Sequence, residues 1–304
     1  GNEAPNQTEE SVIEELNSKH FICMLGGKAV IANEKYDHVM KRPTLTFSSP
    51  TDFNLSYANR KTLHKGSERS ISSYWMQHPK RRQYDGINFL PGAEKVVNGN
   101  YNLWKGFAFE PKASDRINPS DISKIKRYIE HLHYVIAQKK EEVTDYILDW
   151  MADTVQNPAV KCGTSIVLRS DAQGTGKGSF IQIFGKLFGQ HFLHINNPKH
   201  LLGHFNTHLM DNLILFADEA FWAGDKSAEG SLKTLVTEEY RIIEPKGKDV
   251  FQTKNYTRLM IASNKSWVVP TEIEDRRFLV VDVSDKKKNN TQYFKELWGE
   301  LENG

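Results

Sequence analysis

From about residue 120 onward the apolar positions fall into two kinds of spacing. Ile122, Ile125, Ile129, Leu132 and Ile136 recur every three or four residues, as residues lining one helix face must. Val143, Ile147, Trp150, Met151 and Val155 repeat that spacing until Asn157-Pro158 stops it. Beyond them stand continuous apolar runs, "SIVLR", "HFLHI", "LILFA", "RLMIAS" and "FLVVDV", separated by helical segments after Gly176, near Leu201 and near Leu232. Strands without polar alternation are buried on both faces, which is the condition of a parallel sheet covered by helices. The pattern predicts a helical connector over 113–158 and an α/β domain over 159–284. A C-terminal linker and helix start follow over 285–304, where Lys286-Lys287-Lys288 and two Asn read as a solvated segment.

The N-terminal part has a different texture. Residues 1–18 are polar and acidic and predict a tail. "FICMLGGKAVIAN" then sets two apolar runs around Gly26-Gly27, a two-residue hairpin signal. Strand-and-loop text rich in aromatics continues to residue 112, with one helix near Ile71 to His78 ended by His78-Pro79. The reading is a small α+β accessory domain over 19–112.

A chain of 304 residues, 38% hydrophobic and 26% charged, suits two globular domains. No run approaches the roughly eighteen uncharged apolar residues of a membrane helix, and Glu9-Glu10 does not open a signal peptide. No membrane partner and an intracellular setting are expected. Cys23 and Cys162 have no CxxC spacing and predict neither a disulfide framework nor a zinc knuckle. A net charge of +2 is too small to signal nucleic acid, so any such contact must come from local clusters. The first residues, Gly1-Asn2, and the stop at Asn303-Gly304 suggest a piece of something longer.

Candidate chemistry begins directly after "SIVLR", where "SDAQGTGKGSF" forms a glycine-rich turn opening a helix. Gln173, Gly174, Thr175, Gly176, Lys177, Gly178 and Ser179 form a candidate phosphate cradle. Gly174 and Gly176 admit the backbone, the helix N-terminus favours an anion, and Lys177 reaches the β- and γ-phosphates of a nucleotide such as ATP. The pattern GxxxxGK[ST] is incomplete. Asp171 stands for its first Gly, and Gly178 occupies the position whose hydroxyl normally holds Mg²⁺, leaving Ser179 as the nearby substitute.

Some forty residues on, "LILFADEAF" ends a strand in two carboxylates, suited to holding Mg²⁺ through Asp218 and polarising water through Glu219. "RLMIASN" ends in Asn264, an amide able to bridge a phosphate and water. Arg276 and Arg277 precede the last strand and suit charge developing on a phosphoryl group; a surface ion pair with Glu274 or Asp275 is the plain alternative. His200, His204 and His208 recur every fourth residue, yet no carboxylate or Cys completes a metal set. Lys80-Arg81-Arg82 beside Tyr84, with Trp75 and Trp104, suits either nucleic-acid stacking or the small domain's core.

In this order the motifs resemble those of the superfamily 3 helicases, in particular the poxvirus-type primase-helicases and the helicase halves of phage primase-polymerases. "QGTGKGSF", "FADEAFWAGD", "LKTLVTEEYRIIEPKG", "IASNKSWVVP" and "DRRFLVVDVS" carry the resemblance, with "QHPKRRQYDGINFLPG" and "YNLWKGFAFEP" before them, so that it spans nearly the whole chain. It implies an AAA+ type P-loop NTPase core that assembles into a homo-oligomeric ring, commonly a hexamer, with ATP and Mg²⁺ between neighbours. Lys177, Asp218, Glu219 and Asn264 would come from one subunit and Arg276 or Arg277 from the next, Arg276 first because it follows Asp275. A DNA-gripping hairpin is implied at "EPKGKDVFQTKN", with Lys246, Gly247 and Lys248 at its tip. Further implications are single-stranded DNA as partner, a primase-polymerase domain on the same full-length chain, and the cytoplasm of an infected bacterial host. An ATP-dependent DNA helicase is the expectation. Its rivals are a replication scaffold that binds nucleotide with little hydrolysis, favoured by Gly178, and a small-molecule kinase.

Overall fold

The computed structural model describes residues 9–38, 42–110, 118–197, 206–219, 226–244, 250–264 and 276–303. The chain divides into two units, one of residues 1–88 and 94–103, the other of 89–93 and 104–304.

In the first unit, helix α1 (Glu9–Lys19) leads into strands β1 (His20–Leu25), β2 (Lys28–Asp37) and β3 (Arg42–Ser48), an antiparallel sheet. Gly26 and Gly27 turn the β1–β2 hairpin at φ +55° and +79°, the pair of positive values that matches strand twist. Helix α2 (Pro50–Ser56), strands β4 (Lys61–His64) and β5 (Ser67–Ser70), helix α3 (Ile71–Gln77), and the short strands β6 (Ile87–Asn88), β7 (Val96–Val97) and β8 (Asn100–Asn102) follow. The polar opening proves to be more than a tail. Val12, Ile13 and Leu16 form one stripe of α1 and are buried against Ile31, Phe53, Ile71, Tyr74 and Trp75. Three apolar residues on adjacent turns suffice to anchor a helix whose other faces are charged.

The second unit opens with helices α4 (Pro119–Lys124) and α5 (Lys126–Glu130), the latter running into a π-helical turn, His131–Ile136, before α6 (Glu141–Gln156). The single helix expected over Ile122–Ile136 is therefore broken. Ile125 leaves helical backbone at φ −111°, and Ile122 and Ile125 are 52% and 47% exposed, while Leu132, Val135 and Ile136 are buried.

The sheet consists of β9 (Ser165–Arg169), β10 (Phe192–Ile195), β11 (Ile214–Asp218), β14 (Arg258–Ser263) and β15 (Phe278–Asp282), in spatial order β10-β11-β14-β9-β15 and parallel throughout. Helix α7 (Lys177–Gly185) follows β9, α8 (Lys226–Thr237) follows β11, and a hairpin of β12 (Tyr240–Ile243) and β13 (Phe251–Lys254) precedes β14. Helix α9 (Thr291–Asn303) ends the chain. The sheet core joins Val167, Leu193, Leu215, Leu259 and Ile261 to Leu232, Leu235 and Val236 of α8. The helix expected near Leu201 lies outside the described residues. Among the described residues no helix is long and apolar enough to cross a membrane.

Topology fixes where chemistry can gather. From β9 the chain crosses to the far edge at β10, works back through β11 to β14 beside β9, and then adds β15 on β9's other side. Such a reversal opens a crevice at the carboxyl ends of the strands.

Candidate active site

The turn after β9 is shaped by glycines in left-handed backbone, Gly174 at φ +71° and Gly176 at φ +99°, the latter immediately before Lys177 opens α7. The Lys177 ammonium is buried. It donates to Asn264 Oδ1 at 2.7 Å, to the Ala172 carbonyl and Thr175 Oγ1 at 3.3 Å each, and to Ser170 Oγ. Burial lowers its pKa, with Glu219 and Asp218 pulling the other way. Its hydrogen-bond partners among the described residues are neutral oxygens, so this desolvated cation lacks a direct ion pair. The donor set suits a phosphate ligand.

Parallel register brings the carboxylate strand to the same edge, since Asp218 lies opposite Ala262 on β14 and Ser263 lies opposite Arg169 on β9. Asn264 therefore emerges between the loop and the carboxylates, and its amide donates to Glu219 while accepting from Lys177. Glu219 holds a left-handed backbone at φ +50°, with its N–H donating to the Ala262 carbonyl at 2.9 Å. A non-glycine residue in that region is strained and must be held by its surroundings. Asp218 accepts from His194 Nε2 at 3.3 Å, and the imidazole stacks on Phe216 at 4.4 Å. His194 was not foreseen; an alternating position inside "HFLHI" gives no sign that it ends beside a carboxylate one strand over.

A Cβ on Gly178 would meet nothing nearer than Gln182 Nε2 at 3.8 Å and Phe216 at 4.0 Å. Ser179 instead accepts from the Trp298 indole of α9 at 3.3 Å and lines a cleft with Asn289, Thr291 and Phe294. The loop is also gripped from behind. His131 contacts the Gly176 carbonyl through Nε2 at 3.2 Å and the Tyr293 hydroxyl through Nδ1 at 2.8 Å. Burial, opposed by the bond to Gly176, lowers the His131 pKa to about 4, so the ring is neutral and its Nε2–H donates. The lysine-rich segment expected to be a plain solvated linker seats on the loop as well, the Asn289 N–H donating to the Gly174 carbonyl at 3.1 Å.

Arg276 and Arg277 sit at the other end of the sheet. The Arg277 carbonyl accepts from the Ser165 N–H at the start of β9, and Phe278 lies opposite Ser165 while Asp282 lies opposite Arg169. At ~3.3 Å per residue the two arginines stand on the order of 15 Å from the loop edge, beyond reach of their own chain's Lys177. Lys246, Gly247 and Lys248 lie outside the described residues, between the paired ends Ile243 and Phe251 of the β12–β13 hairpin.

Trp75 is fully buried and donates to Asn17 at 2.8 Å. Arg82 pairs with Glu34 at 2.5 Å over the rings of Phe21, Tyr84 and Tyr101. Trp104 stacks on His191 at 4.6 Å. Trp75 thus belongs to the core of the first unit and Arg82 packs on that unit's rings, whereas Trp104 packs within the second unit and not in the small domain's core. His200 and His204 lie outside the described residues, and among the described residues no three His, Cys, Asp or Glu side chains form a metal set.

Comparison with known proteins gives three findings. Residues 168–277 match a family described as "Family of unknown function (DUF5906)". Over 236 residues the chain is 24% identical to the DNA primase-polymerase of Nitratiruptor phage NrS-1, covering 77% of this chain and 30% of that protein. Two apo structures of the NrS-1 C-terminal region superpose with TM-scores of 0.68 at 19% identity, covering 99% and 96% of this chain and 68% and 66% of theirs. The chain thus spans less than a third of the length of the curated relative it matches. Within that span it is a homologue of the NrS-1 phage primase-polymerase, and structures of that protein's C-terminal region are among its structural neighbours.

Proposed function

We propose that this chain is an ATP-dependent motor domain of a phage replication protein, with an AAA+ type P-loop core that hydrolyses ATP between subunits of a ring and moves on single-stranded DNA. The observation that best supports this reading is the continuous chain Lys177–Asn264–Glu219 at the carboxyl edge of three adjacent strands. Cation, amide and carboxylate are the three groups that phosphoryl transfer to water needs within one ligand's length.

On this reading the loop N–H groups and Lys177 hold the β- and γ-phosphates. Glu219 accepts a proton from water as its oxygen bonds to the γ-phosphorus and the bond to the β–γ bridging oxygen breaks, releasing ADP and phosphate. Asn264 orients Glu219 and hands Lys177 over to the phosphate. Asp218, oriented by His194, would hold Mg²⁺ largely through the ion's own waters; the metal supplies charge neutralisation on the phosphates when bound. Arg276, or Arg277 beside it, serves the neighbouring subunit's ATP, and Lys246 and Lys248 contact DNA phosphates.

A second reading, a nucleotide-binding replication scaffold, is favoured by one observation: no hydroxyl stands at Gly178, and that of Ser179 is engaged by Trp298. A small-molecule kinase has no use for arginines remote from its own loop. Steady-state ATP hydrolysis with and without single-stranded DNA separates the readings. The motor predicts turnover stimulated by DNA and lost in Lys177→Ala. Nucleotide binding without turnover, with or without DNA, selects the scaffold, and turnover that requires a small-molecule acceptor selects the kinase.

A further inference from the structure

The amino-terminal edge of the sheet, opposite the glycine-rich loop, holds a cluster of cations that the chemistry above does not use. Lys161, Arg241 of β12 and Arg258 of β14 meet around a single residue, Thr257. Lys161 donates to the Thr257 carbonyl at 2.9 Å and to the Leu235 carbonyl of α8 at 2.6 Å. Arg241 donates through Nη1 to the Thr257 hydroxyl at 2.8 Å, and Arg258 is the next residue along the chain. The cluster thereby joins the last turn of α8 and the base of the β12–β13 hairpin. Through the bond from Arg258 to Asp153 at 2.7 Å it also reaches the last turn of α6.

Donors outnumber acceptors here. Arg241 Nε and Nη2 are buried and have no hydrogen-bond partner among the described residues, and the same holds for Arg258 Nε. Nε and Nη2 form one edge of a guanidinium, two parallel N–H groups whose spacing fits two oxygens of one anion. Leaving such an edge buried without acceptors is costly, more so because the group is charged. Burial lowers the Arg241 pKa to about 10, and Asp211 opposes the shift without a hydrogen bond to the guanidinium. The Lys161 ammonium has a third N–H beyond its two carbonyl bonds. Lys161 and Arg241 are both half-buried, and a Cβ on Gly163 would meet nothing within 4 Å, so the cluster adjoins open space.

We propose that the Arg241 edge, with Lys161 beside it, is a binding site for a small free oxyanion such as inorganic phosphate. The anion accepts from Nε and Nη2 of Arg241 and from Lys161, and so ties the base of the hairpin to the sheet and to the helix ends around it. The site stands at the opposite end of the sheet from Lys177 and is independent of the nucleotide reading.

The test is calorimetric titration of inorganic phosphate at constant ionic strength into Lys177→Ala, which lacks the loop ammonium that would itself hold phosphate. The same titration is made into Lys177→Ala carrying Arg241→Lys or Arg241→Met. Lysine keeps the charge and stem while deleting the parallel N–H pair, and methionine deletes both. The expected result is one phosphate site in Lys177→Ala, weakened about tenfold or more by either substitution at 241. Dimethyl phosphate, which carries the diester group of a nucleic-acid backbone, should bind more weakly than phosphate; equal binding overturns a free ion as the occupant. Hydrogen exchange locates the site with Arg241 intact, since phosphate should slow exchange at the amides of β12, Thr257 and Arg258 in Lys177→Ala. Absence of saturable phosphate binding in Lys177→Ala overturns the proposal, as does protection confined to other elements. So does an affinity that Arg241→Lys leaves within about twofold.

Discussion

Lys161 is a residue whose environment converts directly into a measurable slope. Its amine donates to the carbonyls of Leu235 at 2.6 Å and Thr257 at 2.9 Å. Burial, reinforced by Arg241 and Arg258, lowers its pKa to about 7. The unfolded value is ~10.4, so between pH 7 and 10 the unfolded chain holds a proton the folded chain has released. Stability from this group is therefore fully present above ~10.4 and is lost as pH falls toward 7, by at most ~1.4 kcal/mol per pH unit. Cys23, its thiol pushed up to about 12 by burial, acts in the opposite sense above ~8.5. Urea midpoints of wild type and Lys161→Met from pH 7 to 9.5 isolate the lysine: their difference should grow with pH, and a constant difference would show that Lys161 does not titrate there. Gly178 yields a second residue-scale prediction, since its surroundings leave space for a side chain. Gly178→Ser should stabilise α7, serine being a better helix former than glycine by a few tenths of a kcal/mol. Under the motor reading it should also lower the Mg²⁺ needed for half-maximal hydrolysis severalfold. An unchanged Mg²⁺ titration would mean that Asp218 and waters already complete the site.

Among elements, the link between α6 and the sheet is the most exacting. The Arg258 guanidinium, fully buried at the start of β14, pairs with Asp153 at 2.7 Å and donates to the carbonyls of Asn157 and Val160 at 3.1 Å each. It thereby caps the carboxyl end of α6, where a cation also complements the helix dipole. Arg258→Ala should cost about 3 kcal/mol or more by orphaning those carbonyls together with the packed stem. Asp153→Ala should cost less, because that side chain is 42% exposed and its removal leaves the carbonyl bonds in place. Equal losses in chemical denaturation would mean that the ion pair, and not the cap, carries the link. The strands of this sheet were legible in the sequence because each is a continuous apolar run with one buried fate. The glycine-rich loop, the two carboxylates and Asn264 were legible for the related reason that each ends such a run. What escaped the sequence depends on contacts between distant elements. His131 occurs in a stretch that reads as helix, and the π-helical turn that directs it to Gly176 has no periodic signature. Asn289 follows three lysines, whose charge suggested solvent, yet its own backbone seats on the loop. In α1 the stripe of Val12, Ile13 and Leu16 was present but outweighed by the acidic residues around it.

For the whole molecule, the decisive arrangement is that Lys177 and Arg276 stand at opposite ends of one parallel sheet. Under the motor reading, Lys177→Ala and Arg276→Ala chains are each inactive alone, yet mixing them creates interfaces that join an intact lysine to an intact arginine. Because such an arginine is worth on the order of a thousandfold in turnover, the mixture should hydrolyse ATP well above either parent. Arg277→Ala is tested alongside. Failure of both arginine variants to complement Lys177→Ala, in preparations with demonstrated subunit exchange, would remove the shared-site model. The same arrangement constrains symmetry. A contact that joins the loop end of one copy to the arginine end of the next is directional, so each copy that joins still presents one unsatisfied end of either kind. A directional contact has no natural stopping point at two. It halts only when its rotation brings the last copy round to the first, and a small change in that rotation gives an open spiral instead of a closed ring.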